Sequence, residues 1–183
     1  NIIPFLFNKK NKCIKKRKSN NKNKLKNFRI ICNRIDSYDF LPTNKLEIIS
    51  RKILKLEYGV DLFLHPYNFY YSKSKLKNID NRVKILNGTE ADFFKADDIY
   101  LVSVFSTLFW ELIYYRMNFV CYYASQINSQ TDEMNRLLTL LKELNLIYNI
   151  EMLISNLDKY FYKKVLNSNL KLYEYLNLKF NFE

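Results

Sequence analysis

Asp98-Ile99-Tyr100-Leu101-Val102-Ser103-Val104-Phe105-Ser106-Thr107-Leu108-Phe109-Trp110-Glu111 passes from an apolar block into a helical stretch at a pair of hydroxyl residues. The block lacks strict polar alternation, as strands covered on both faces do. A buried strand that hands over directly to a helix begins a crossover connection, and this decides how the rest of the chain is read. The same design recurs upstream in Asp61-Leu62-Phe63-Leu64-His65-Pro66, where a second apolar strand ends in the only histidine of 183 residues.

Working outward, residues 28–33 read as a first strand and 44–58 as a helix, with Leu46, Ile49, Ile53 and Leu56 at helical spacing. Thr43 is expected to cap that helix and Gly59 to close it. Residues 67–81 read as a polar, tyrosine-rich loop and 82–86 as a third strand. Asn87-Gly88-Thr89-Glu90 is expected to turn into a short helix reaching Phe94, capped by Thr89. Strand 99–105, helix 107–117, strand 119–123, a helix near 131–144, strand 146–150 and a helix over 151–165 follow. Alternation of this kind predicts right-handed crossovers and an α/β domain with a doubly wound, mostly parallel, Rossmann-like sheet. Both hydroxyl and imidazole groups then sit at the carboxyl ends of strands, where open sheets bind ligands. Residues 28–165 form the expected domain, 1–27 a basic linker or the end of an N-terminal domain, and 166–183 an extension whose alternation leaves helix and strand both open. A chain that begins at Asn1 without a methionine is expected to be part of a longer protein.

The net charge of +12 is unevenly placed. Residues 1–27 hold ten Lys or Arg and no acid, and the remaining 156 carry 20 basic and 18 acidic groups. The domain itself is nearly neutral, which argues against nucleic acid as its partner. The arm, chiefly residues 8–27, suits a mobile linker or an anionic membrane surface. Cys13, Cys32 and Cys121 are widely spaced, without a CxxC pair, and only one histidine is present. That excludes a disulfide framework or a zinc site of the usual kind, and the expected compartment is reducing. The longest apolar runs, around 99–105 and 119–124, are too short to span a bilayer.

Gly59 and Gly88 are the only glycines, so neither a P-loop nor a GxGxxG turn is available. An anion site must be made from hydroxyls, imidazole and helix amides. Ser106 and Thr107 at a helix start can bind phosphate, since unpaired N–H groups and the positive dipole end add to the hydroxyls. Taken alone, Ser106 reads first as a plain N-cap. His65, pinned by Pro66, can donate to a leaving phosphate or serve as a half-buried structural group. Glu111, one helical turn beyond the hydroxyl pair, can accept from ribose hydroxyls or stay a solvated carboxylate. Asp97-Asp98 stands at the opposite edge of the sheet and is set aside as a catalytic pair.

These residues together resemble the carboxyl-terminal, donor-binding half of a GT-B glycosyltransferase. The bacterial lipooligosaccharide sialyltransferases and capsule polysialyltransferases look most similar, and the glycerophosphate polymerases of wall teichoic acid more distantly so. The likeness rests on His65-Pro66 after a strand, the stretch from Thr89 to Asp98, and the strand ending in Ser106-Thr107 before a helix. It covers about Phe28 to Ala124, just over half the chain. By this resemblance His65, Pro66, Ser106 and Thr107 hold the phosphate of a CMP-sugar, His65 stabilises the departing CMP, and Glu111 binds ribose. The resemblance implies no metal and no cofactor, with a glycan or glycolipid acceptor, CMP-sialic acid as the favoured donor and CDP-glycerol as the alternative. It implies work at the cytoplasmic face of the membrane. The chain departs from the pattern in having Phe63-Leu64 where a polar pair often precedes His-Pro, and Arg116-Met117-Asn118 where a glycine usually turns the chain. The acceptor-activating carboxylate of such enzymes lies in an amino-terminal domain, and Asp36 and Asp39 are the nearest substitutes by topology. A reading from another class is a non-catalytic binding module whose basic arm contacts anionic lipid or nucleic acid.

Overall fold

Among the described residues six parallel strands form one sheet in the order β3-β2-β1-β4-β5-β6, with helices in the crossovers other than that from β3 to β4. The structure is a computed structural model and describes residues 26–33, 41–76, 79–88, 94–104, 106–123 and 131–180. The strands are β1 (Asn27–Ile31), β2 (Gly59–Leu64), β3 (Lys84–Asn87), β4 (Ile99–Ser103), β5 (Asn118–Tyr123) and β6 (Ile147–Asn149). The helices are α1 (Thr43–Lys55), α2 (Phe69–Lys75), α3 (Thr107–Tyr114), α4 (Asp132–Glu143), α5 (Ile150–Asn156) and α6 (Phe161–Phe180). The chain winds outward from β1 to β3, returns to the centre at β4, and winds outward the other way to β6. Strand order therefore reverses between β1 and β4, which makes the carboxyl ends of these two strands the topological switch point. The doubly wound α/β expectation holds, and every strand pair is parallel rather than most of them.

Strand burial explains the missing alternation: all five residues of β4 are buried, as are four of six in β5. Neighbouring residues of β1 show the two faces. Phe28 packs edge-on against Tyr58 and Tyr162 and stacks with Phe161, at 5.5, 6.1 and 6.3 Å between ring centres. Arg29 faces the other way, its guanidinium 5.4 Å from the Phe63 ring and 5.8 Å from that of Tyr100.

Several local expectations are corrected. Thr43 is the first residue of α1 rather than its cap; Pro42 takes the cap position and provides no side-chain bond. Gly59 does not close α1 but opens β2, because a Cβ there would stand 2.0 Å from Asn27 Oδ1. The left-handed turn falls on Glu57, at φ 64°. Arg116 (φ 53°) makes the turn into β5, and Asn145 (φ 54°) the turn towards β6. With two glycines in the chain, ordinary residues take these positions at a cost of about 1–2 kcal/mol each. Glu57→Gly is therefore expected to raise unfolding free energy by about 0.5–1 kcal/mol, after the larger backbone entropy of glycine in the unfolded chain is subtracted. A higher urea midpoint at unchanged slope shows this; a lower midpoint contradicts it.

Residues 67–81 are not all loop: a 3-10 turn over Pro66–Asn68 leads into α2. The single helix expected over 151–165 is two, α5 and α6, and the boundary drawn after residue 165 falls inside α6. Leu172 of α6 is buried in the core. β6 pairs with β5 only from Cys121 onward, and further down the buried Asn169 of α6 takes the missing strand's place. Its Oδ1 accepts the Phe119 N–H at 3.2 Å, and its Nδ2 donates to the Phe119 and Val165 carbonyls at 2.9 Å. An amide side chain carries the same donor and acceptor pair as a peptide, so the exposed ladder of β5 stays satisfied. The short helix expected over 89–94 lies mainly outside the described residues, as do Thr89 and Phe105.

Candidate functional site

The carboxyl ends of β1, β2 and β3 and one side of α3 border an open cavity of about 360 Å³. Ile31 and Cys32 come from the end of β1, and Phe63, Leu64, His65 and Pro66 from the end of β2. Gly88 follows β3, Phe94 precedes β4, and Leu108 and Glu111 project from α3. The cavity thus stands beside the switch point, and its volume falls in the range of small-ligand sites. Among the described residues its walls are apolar apart from one imidazole and one carboxylate.

His65 has extended backbone (φ −61°, ψ 134°) and forms the cap of the 3-10 turn, with Pro66 as the first turn residue. Its Nδ1 accepts the Tyr67 N–H at 3.2 Å. In the neutral ring the hydrogen consequently sits on Nε2, so the cap selects a tautomer that offers a donor on the other side. Gly88 packs closely against this turn. Its N–H bonds the Leu64 carbonyl at 2.9 Å. A Cβ on it would approach that oxygen to 3.1 Å and the Pro66 ring to 3.4 Å. One of the two glycines in the chain is thus spent on letting β3 close against the His-Pro turn.

Ser106 (φ −65°, ψ 159°) caps α3: its Oγ accepts the Phe109 N–H at 3.2 Å and donates to the Ser103 carbonyl at 2.9 Å. The one hydroxyl proton therefore braces the β4–α3 corner. Thr107 is the exposed first residue of α3. Neither lines the cavity, whereas Leu108 and Glu111, the next residues along the helix, do. Of the residues chosen from the sequence, His65, Pro66 and Glu111 converge on one cavity. Ser106 and Thr107 share the same edge of the sheet, and β1 lies between their strand and that of His65. Asp36 and Asp39 lie outside the described residues.

Cys32 also lines the cavity, and complete burial pushes its thiol well above the usual range. The thiolate is the reactive form, so this direction disfavours Cys32 as a nucleophile. Among the described residues no three His, Cys, Asp or Glu side chains gather as a metal site, and no helix is long and apolar enough to cross a membrane.

The amino-terminal side of the sheet holds a cluster missed in the sequence. Arg29 Nε donates to Asp98 Oδ2 at 2.6 Å, and its Nη2 lies 3.7 Å from Asp61 Oδ2. Asn27 Nδ2 adds a bond to Asp61 Oδ2 at 3.3 Å. All three charged residues are buried, and desolvation, opposed by Arg29, holds the Asp98 carboxyl above its ordinary value. Burial, which disfavours the charged carboxyl, outweighs the lowering effect of Arg29 and Lys95. The available signal was a charge inside each of two apolar strands, Phe28-Arg29-Ile30 and Val60-Asp61-Leu62. Parallel register sets Arg29 beside Asp61.

Comparison of the chain with models of protein families, with curated proteins and with solved structures finds no match.

Proposed function

We propose that this domain is the nucleotide-sugar-binding half of an inverting glycosyltransferase, with CMP-sialic acid as the favoured donor and a surface polysaccharide or lipooligosaccharide as the product. The observation that carries the reading is a cavity at the switch-point edge in which, among the described residues, one imidazole and one carboxylate interrupt apolar walls. A nucleotide sugar asks for that set of groups. His65 Nε2–H can donate to a phosphate oxygen, and Glu111 can accept from the two ribose hydroxyls. The first N–H groups of α3 point out of the helix end that Ser106 fixes, and they suit an anion. Leu108 and Phe94 offer apolar surface to a base or sugar ring.

In inverting transfer the acceptor oxygen attacks the anomeric carbon as CMP leaves, so negative charge grows on the phosphate. A donor aimed at that oxygen stabilises the transition state more than the ground state. His65 takes this part, with Pro66 and Gly88 holding its turn. Transfer also needs a base for the acceptor hydroxyl. Among the described cavity residues Glu111 is the only carboxylate, and the reading assigns it to ribose. The base is therefore assigned to an amino-terminal partner domain, and the protein to the cytoplasmic side of a membrane, with residues 8–27 drawn to anionic lipid. CDP-glycerol is the alternative donor within the class. A non-catalytic lipid-binding module is the reading from outside it, which the ten basic residues of the arm favour.

Titration calorimetry with CMP separates these readings, since only a donor-binding half is expected to give saturable heat. The 183-residue chain alone is expected to bind CMP weakly and to transfer no sugar from CMP-sialic acid to a lactose-terminated acceptor. Measurable transfer overturns the half-enzyme assignment and makes Asp36 and Asp39 the first positions to substitute.

A further inference from the structure

From Leu62 to Ile79 the chain contains no acidic residue, while Lys73, Lys75 and Lys77 fall within it. The part that winds into the 3-10 turn and α2 sets Tyr67, Tyr70 and Tyr71 at i, i+3 and i+4, the spacing of one helical face. Such a stripe normally packs on a core. Here the three side chains are 72%, 85% and 53% exposed. The inward contacts are made instead by Phe69, partly buried against the core, and by Leu76, which is buried. The lysines lean on rings: Lys73 Nζ lies 5.5 Å from the Phe69 centroid and Lys75 Nζ 5.4 Å from that of Tyr71. The nearest acid beyond, Asp80, is engaged by Arg82 at 2.8 Å.

We infer that Tyr67, Tyr70 and Tyr71, with Lys73 and Lys75, form a folded docking face for an anionic phospholipid surface. Tyrosine rings with a wet hydroxyl end belong at the boundary between headgroups and acyl chains, and lysine keeps its stem on apolar surface while the ammonium reaches phosphate. The absence of carboxylates removes the repulsion that anionic lipid would meet. A glycan platform would pair its rings with carboxylates to grip sugar hydroxyls, and residues 62–79 hold none. The face starts at the turn that holds His65, through the Tyr67 N–H bond to Nδ1, so docking brings the rim of the cavity to the headgroups. The inference holds whatever ligand the cavity takes. It also differs from attraction by the basic arm, which is electrostatic and screened by salt, whereas ring burial in the interface is not.

The experiment is co-sedimentation of the full chain with vesicles of phosphatidylserine and phosphatidylcholine in equal parts, at low and high salt. The variants are the triple Tyr67→Ser, Tyr70→Ser, Tyr71→Ser and the double Lys73→Glu, Lys75→Glu. Wild type is expected to keep measurable binding at high salt. The triple variant should lose roughly tenfold in partition there, and the double variant roughly tenfold at low salt. All positions are exposed, so thermal melting and CMP titration are expected to be unchanged in both variants; these two readings separate a failure here from a failure of the donor assignment. Wild-type sedimentation by both variants at both salts overturns the inference. So does binding to soluble dextran sulfate as tight as to vesicles and equally lost in the variants, which would mark a polyanion site rather than a membrane face.

Discussion

Arg29→Ala is expected to destabilise the domain by about 3–5 kcal/mol, the range for removing one partner from a buried ion cluster. Against a typical total of about 5–15 kcal/mol, a large share of the chains would then be close to unfolding under mild conditions. The size follows from what remains behind. Asp61 and Asp98 would stay buried with their shared cation gone, and the space between the Phe63 and Tyr100 rings would be left empty. Urea unfolding followed by circular dichroism measures the effect, and a loss below about 1 kcal/mol, the scale of an exposed pair, would show the cluster to be solvated. The same cluster gives a pH signature. Asp98 is raised above 3.8 in the folded protein, so the folded state binds the proton more tightly than the unfolded chain does. Its contribution to stability is complete below that value and is lost as pH rises through the raised one. Asp98→Asn is expected to remove this slope. Half-buried Asp80, drawn down from 3.8 to about 2 by Arg82, acts in the opposite sense and in a lower window, losing its contribution as pH falls.

His65→Asn is expected to weaken CMP binding by roughly 10- to 100-fold, the equivalent of one charge-assisted hydrogen bond, with little change in melting temperature. Asparagine is chosen because its Oδ1 can still accept the Tyr67 N–H and keep the turn capped, while the Nε2 donor disappears. His65→Ala removes both and confounds them. If His65 serves only the turn, His65→Asn should bind CMP as wild type does and His65→Ala should lower the melting temperature by the loss of a cap. Parallel calorimetry and melting of the two variants decide between the roles.

The parts of the fold that were legible in the sequence are those written in local pattern. The largely apolar run over 99–105, the hydroxyl pair at the start of α3 and the alternation of elements give the parallel sheet without knowledge of its register. Ser106 as a cap was legible for the same reason, since the bond to Phe109 spans three residues. The convergence of His65 and Glu111 was legible only through topology, by way of the shared edge. What was not legible depends on pairs distant in sequence. Arg29 and Asp98 are 69 residues apart, and Asn169 reaches Phe119 across 50. The spacing of 166–180 reads ambiguously because α6 buries Leu172 and Asn169 on a narrow face and leaves Leu170 and Tyr175 outside. Gly59 misled because scarce glycine suggests a helix end, whereas the tight constraint there is the Asn27 side chain of the neighbouring strand.

The central claim is that a nucleotide occupies the carboxyl edge of the sheet between His65 and Glu111. An amide NMR titration of the isotope-labelled 183-residue chain with CMP tests it most directly. The expected result is a saturable set of shifts centred on His65, Gly88, Leu108 and Glu111, absent in His65→Asn at the same ligand concentration. No shifts on addition of CMP, or shifts confined to the amino edge around Arg29 and Asp98, would contradict it.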